Sequence, residues 1–234
     1  MIAIILPMSV FRLHHHPLDS PSRRVRLMLA EKGVACEFVV EKPWDSRPEY
    51  IKLNPAGEVP TLVVEGGAEP LALADATAIC EYIEETQSGP SLLGRDSPRR
   101  AEVRRLVHWF EFKMGREVTD HLVGEKAFKR LQGGGAPDSV RISTGYHNIH
   151  GHLDYIGWLI QRRNWLAGDD LTLADLAAAA QFSTIDYLGD VPWNKHPEAK
   201  EWYARIKSRP CFRGILGDHI PGLLPPRHYA DLDF

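Results

Sequence analysis

A chain of 234 residues, 44% hydrophobic and 25% charged, has the composition of an ordinary globular protein and excludes a disordered or fibrous one. Its 28 Lys and Arg against 31 Asp and Glu leave a net charge of −3, which provides no basic field for a nucleic acid. Cys36, Cys80 and Cys211 are odd in number, widely spaced and without CxxC pairing, so a zinc or redox motif is not indicated and a reducing, cytoplasmic setting is expected.

Met1 to Pro7 form an apolar run with no basic leader, far shorter than the roughly 18 residues of a membrane span. The run reads as an extension ahead of Met8, or as an added edge strand. Phe11, Leu13 and His15 then alternate as a short strand. Val25, Met28, Leu29 and Lys32 follow at helical spacing up to Gly33, which stands where a glycine ends a helix. A second strand is predicted from Cys36 to Val40. After a polar loop, Val59 to Val64 and Leu71 to Leu73 read as a hairpin, and Ala76, Ile79, Cys80 and Ile83 recur at helical spacing. Residues 8–88 thus form a small α/β unit in the order βαβ…ββα.

Glycines and prolines mark 89–97 as a linker. Residues 98–218 look wholly helical. One stripe holds Val103, Leu106, Val107, Phe110, Met114 and Val118, and a longer one holds Ile142, Tyr146, Ile149, Leu153, Ile156 and Ile160. Trp109, Trp158 and Trp202 read as packing residues, while His147, His150 and His152 scatter toward solvent or a dimer partner. Residues 219–234 form a tail in which prolines forbid a helix over the first half. Its Tyr229, Leu232 and Phe234 interleave with Asp231 and Asp233, a pattern suited to docking on protein or, for the apolar residues, on its own subunit.

Several motifs carry a family resemblance. They are Arg24-Val25-Arg26, Asn54-Pro55 to Val59-Pro60, Ala74 to Ile79, Gly168 to Asp175 and Ser208 to Phe212. Together they resemble the glutathione S-transferase superfamily over about residues 8–218. The resemblance implies a thioredoxin-like domain followed by an all-helical domain, and a cis bond before Pro60 that presents the Val59 backbone to glutathione. Independently, Thr172 and Asp175 have the spacing of a capping box.

The site positions implied by the resemblance are Asp19, Ser20, Val59, Pro60, Asp75 and Ala76, and two have the wrong chemistry. Asp19 stands where the family activates its thiol. A carboxylate accepts hydrogen bonds and raises the pKa of a neighbouring thiol. Ala76 lacks the hydroxyl that binds the γ-glutamyl carboxylate, a contact of about 1.5–3 kcal/mol when charged. Ser20 is the nearest substitute nucleophile activator, although Ser20-Pro21 also reads as a helix cap with proline at the first turn. Asp75 likewise reads as an N-cap. His14 and His16 share a strand face but no ligand-spaced carboxylate or cysteine joins them, so no metal is expected.

The opening Phe11 to Pro21 and the closing Pro225 to Phe234 narrow the resemblance to the transferase-like division proteins of alphaproteobacteria. That branch implies a homodimeric, non-catalytic adaptor at the division site, without cofactor, that binds filaments of the tubulin-like GTPase FtsZ and changes their curvature or bundling. It neither binds nucleic acid nor inserts into membrane. Candidate partner residues are Trp44, Glu125, Lys126, Lys129, Arg130, Tyr229, Asp231 and Asp233. Trp44 serves equally well as a shield over the glutathione cleft. The competing reading is a transferase in which Ser20 activates glutathione, the sole cofactor in that case, toward a small electrophile.

Overall fold

A computed structural model describes residues 10–67 and 69–232. The expectations for residues 1–7, Asp233 and Phe234 lie outside that range. Strands β1 (Val10–His15), β2 (Cys36–Val40), β3 (Thr61–Glu65) and β4 (Leu71–Ala74) form one sheet in the order β2-β1-β3-β4. β1 runs parallel to β2 and antiparallel to β3, with Leu13 opposite Leu62 and Phe11 opposite Val64. Helices α1 (Ser20–Glu31) and α3 (Ala76–Thr86) supply Val25, Met28, Leu29, Ile79 and Ile83 to the core, and a short α2 (Pro48–Leu53) packs through Tyr50. Gly33, at φ +66, ends α1 in the left-handed conformation that glycine adopts without penalty.

The helical half begins with α4 (Ser97–His108). It runs on through a π-helical stretch (Trp109–Thr119), α5 (Asp120–Val123), a second π-helical stretch (Gly124–Phe128) and α6 (Lys129–Leu131). The expected stripe from Val103 to Val118 is buried along it. Helices α7 (Ser139–Ile160), α8 (Leu173–Asp186), α9 (Pro197–Lys207) and α10 (Arg213–Leu216) complete the half. Every residue of α8 is buried, as befits a helix apolar on nearly all sides, and it is the central rod of the domain. Its start is the expected capping box between Thr172 and Asp175. The Asp175 carboxylate also accepts from Leu166 N (2.9 Å) and Trp202 Nε1 (3.0 Å), so one buried acid is fully hydrogen-bonded.

Three buried arginines of α1 join the halves. Arg23 donates to Ser183 Oγ (2.9 Å), Arg24 to Glu111 Oε2 (2.7 Å), and Arg26 to both oxygens of Asp218 (2.8 Å each).

Several sequence expectations change. Trp158 is 49% exposed beneath the Arg162 guanidinium, because its position on α7 faces outward. His152 is buried between Trp109 and Glu117, and His150 bonds His196 across 2.7 Å. The tail, by contrast, follows the self-docking expectation: Ile220, Leu223 and Tyr229 are buried, and a 3₁₀ turn spans Arg227–Tyr229.

Candidate functional site

The loop after β1 and the start of α1 form one wall of an interdomain cleft, and the π-helical stretches form the other. A cavity of about 190 Å³ lies between Asp19, Ser20, Glu111, Gly115, Gly124 and Phe128. On the helical wall, Glu111, Gly115 and Thr119 recur every fourth residue, and so do Asp120, Gly124 and Phe128. That spacing suits the wider π turn, which is frequent at functional positions.

The cleft's chemistry follows from its local folds. Asp19, not Ser20, is the N-cap of α1: its backbone is extended (φ −83, ψ 122) and its carboxylate accepts from Ser22 N at 2.8 Å. This corrects the capping role expected for Ser20. Burial pushes the Asp19 carboxyl up to about 6; the Ser22 bonds oppose that shift, and Glu111 and Glu58 add to it. Burial also raises Glu111, against the pull of Arg24, and raises Asp120, against the pull of Arg141. The cleft is lined by carboxyls, an unfavourable setting for an anionic tripeptide or its thiolate.

Ser20 is buried with its hydroxyl 3.2 Å from Thr184 Oγ1. Asp75 caps α3 by accepting from Thr77 N (2.7 Å) and Ala78 N (3.0 Å) at φ +74, a strained backbone of the kind found at ligand clamps. Ala76 is buried, and the next hydroxyl, on Thr77, is taken by Arg24 and Glu111. The backbone part of the site is present. Val59-Pro60 is cis, and Tyr50 and Asn54 hold the preceding Glu58 carbonyl.

Partners missed in the sequence surround the histidines. His14 Nδ1 lies 2.7 Å from Glu41 Oε1, and Arg47 bonds the same carboxylate. Burial opposes the Glu41 charge, but Arg47 and His14 together hold it below the usual range. His16 accepts from Leu18 N (3.2 Å), and burial lowers it to about 4. The separation of 27 positions from His14 to Glu41 gave no signal, because only the parallel pairing of β1 and β2 brings their ends together.

The partner candidates fall mostly along one rim of the cleft. Trp44 rests against His16 (5.4 Å between centroids) and Phe128 (6.2 Å), and so covers the cleft mouth. Lys126, two residues from Phe128, holds Asp190 (2.6 Å) and Tyr146 (3.1 Å). Next to Asp190, Gly189 faces Pro226 of the tail, which continues to an exposed Asp231. Arg130 is exposed and Lys129 half-buried on the same rim helix.

Two candidates cannot meet a partner. Glu125 is 5% exposed and bonded by Lys129 and Asp138 N, because its side chain tethers the loop leading into α7. Tyr229 is fully buried, edge-on to Tyr187 and donating to Ile215 O (3.3 Å).

A thioredoxin-like sheet domain with a cis-proline loop, joined to an all-helical domain across such a cleft, is the glutathione S-transferase fold, and the chain belongs to that family. Family models agree, the N-terminal domain matching residues 19–86 and the C-terminal domain residues 153–210. Among particular relatives, FtsZ-localized protein A of Caulobacter vibrioides is 50% identical over 228 residues, which is 97% of this chain and 100% of that one. The solved structure of FzlA from C. crescentus superposes with a TM-score of 0.94 at 49% identity, covering 96% of this chain and all of that one. A glutathione S-transferase from Rhodospirillum rubrum F11 superposes with a TM-score of 0.93 at 56% identity and the same coverage.

Proposed function

We propose that the protein is a non-catalytic adaptor of transferase fold that binds FtsZ filaments at the division site and alters their curvature or bundling. The observation that carries the reading is the carboxyl-lined cleft: the helix-capping acid Asp19 replaces a thiol activator, and Ala76 offers no carboxylate-binding hydroxyl. The full-length likeness to a relative named for FtsZ localisation supports it. The contact surface is the rim formed by Trp44, Lys126, Lys129, Arg130 and Asp231, with Asp233 following in sequence.

Homodimerisation belongs to the same reading. An apolar groove of about 220 Å³ between α3 and α4 is lined by Cys80, Val107, His108 and Phe112, and Phe112 is 46% exposed beside it. A second copy seated there would present two rims, so weak single contacts become avid on a polymer.

The retained loop before β3, where Tyr50 and Asn54 hold the Glu58 carbonyl, favours one second reading, a transferase using Ser20. Co-sedimentation with polymerised FtsZ, run beside glutathione-affinity retention and a general conjugation assay, separates the two. Turnover abolished by Ser20→Ala in a folded protein, without co-sedimentation, would establish the enzyme.

A further inference from the structure

The tail covers a buried charge pair that the cleft does not use. Asp186, the last residue of α8, and Lys207, the last of α9, both have fully buried side chains, with Lys207 Nζ 3.9 Å from Asp186 Oδ2. Trp193 Nε1 donates to Asp186 Oδ1 at 2.9 Å. Lys207 donates to the His228 carbonyl at 3.1 Å, and the His228 ring lies 3.5 Å from Asp186 Oδ1. The tail therefore meets the pair with both a carbonyl and an imidazole.

Removing two charges from water is expensive, and an apolar pair of like volume generally stabilises a core as well or better. What a charge pair adds is register, because the ammonium must meet one particular carbonyl. The surroundings enforce the same register. Tyr187 Oη donates to Leu223 O and accepts from Ile220 N, and the Arg23 guanidinium lies over both the Tyr187 and Tyr229 rings. Gly189, at φ +75, faces Pro226 at a distance where an added Cβ would come within 3.3 Å.

We infer that Asp186 and Lys207 are positioning residues: they lock the tail at His228 and thereby fix the direction in which Asp231 leaves the rim. The functional half of this inference rests on the adaptor reading, and the latch itself does not.

The test compares wild type, Lys207→Arg and the charge-neutral double variant Asp186→Asn with Lys207→Met. Hydrogen exchange is followed at the amides of Leu223, Tyr229 and Asp231, which are bonded to Ile220, Pro226 and His228. The double variant should exchange these amides at least tenfold faster while the β1 and β3 amides keep their protection. Its apparent Kd for polymerised FtsZ should rise at least fivefold, whereas Lys207→Arg, which keeps the charge, should hold both readouts near wild type.

Tail protection equal to wild type in the double variant would overturn the latch. A freed tail with undiminished polymer binding would overturn its positioning role. Failure of the wild type itself to co-sediment counts against the adaptor reading, whereas the exchange result, obtained without FtsZ, still decides the latch.

Discussion

Asp19 caps α1 at the position where the adaptor reading has the thiol activator replaced. Its carboxyl rises from 3.8 to about 6 in the folded chain, chiefly through burial. A carboxyl with a higher folded than unfolded pKa subtracts nothing from stability below the unfolded value and most above the folded one. Stability attributable to Asp19 therefore falls as pH rises from about 4 to about 6. Asp19→Asn keeps a good N-cap and removes the titration, so it should gain roughly 2 kcal/mol over wild type at pH 7 relative to pH 4. Urea unfolding at the two pH values measures this, and equal differences at both would refute it. No glutathione conjugation is expected from the native protein, and Asp19→Ser should recover at most trace activity, since Ala76 still lacks the hydroxyl. Asp19 and Ala76 were legible in the sequence because a motif counts positions. The Ser20–Thr184 and His14–Glu41 contacts were not, since tertiary packing alone brings them together.

At the level of elements, α1 is the joint of the molecule. In the sequence Arg24 and Arg26 serve only as part of a family motif, yet all three arginines of α1 are buried against the helical half. Breaking a buried ion pair by removing one partner strands the other charge, at about 3–5 kcal/mol. Arg26→Met should cost the low end of that range, because Asp218 keeps Arg23 at 3.7 Å, and should lower the urea midpoint without changing the strand content read by circular dichroism. An unchanged midpoint would mean that Asp218 is solvated by other groups. Strand and helix order was readable from hydrophobic period and from Gly33. The π-helical stretches were not, because a stripe such as Val103 to Val118 fits α and π turns alike.

For the whole molecule, the adaptor reading makes two further expectations. Sedimentation at micromolar concentration should give a dimer, and Phe112→Glu should give a folded monomer with weaker polymer binding. A dimeric Phe112→Glu protein would place the interface elsewhere. Asp231→Lys should weaken co-sedimentation, more so at low salt, where an exposed charge is least screened. Deleting the tail is a poorer probe. Loss of a fully buried aromatic such as Tyr229 costs about 3–5 kcal/mol, so truncation would confound binding with folding.

The alternation within the tail has an evolutionary consequence. Ile220, Leu223 and Tyr229 face inward, whereas Leu224, Arg227, Ala230 and Asp231 face solvent, Leu224 at 93% exposure. Selection for a folded chain polices the first set at every generation and leaves the second free to drift. A lineage can therefore change what its tail recognises by single outward substitutions, while the inward set keeps each new version displayed in the same place.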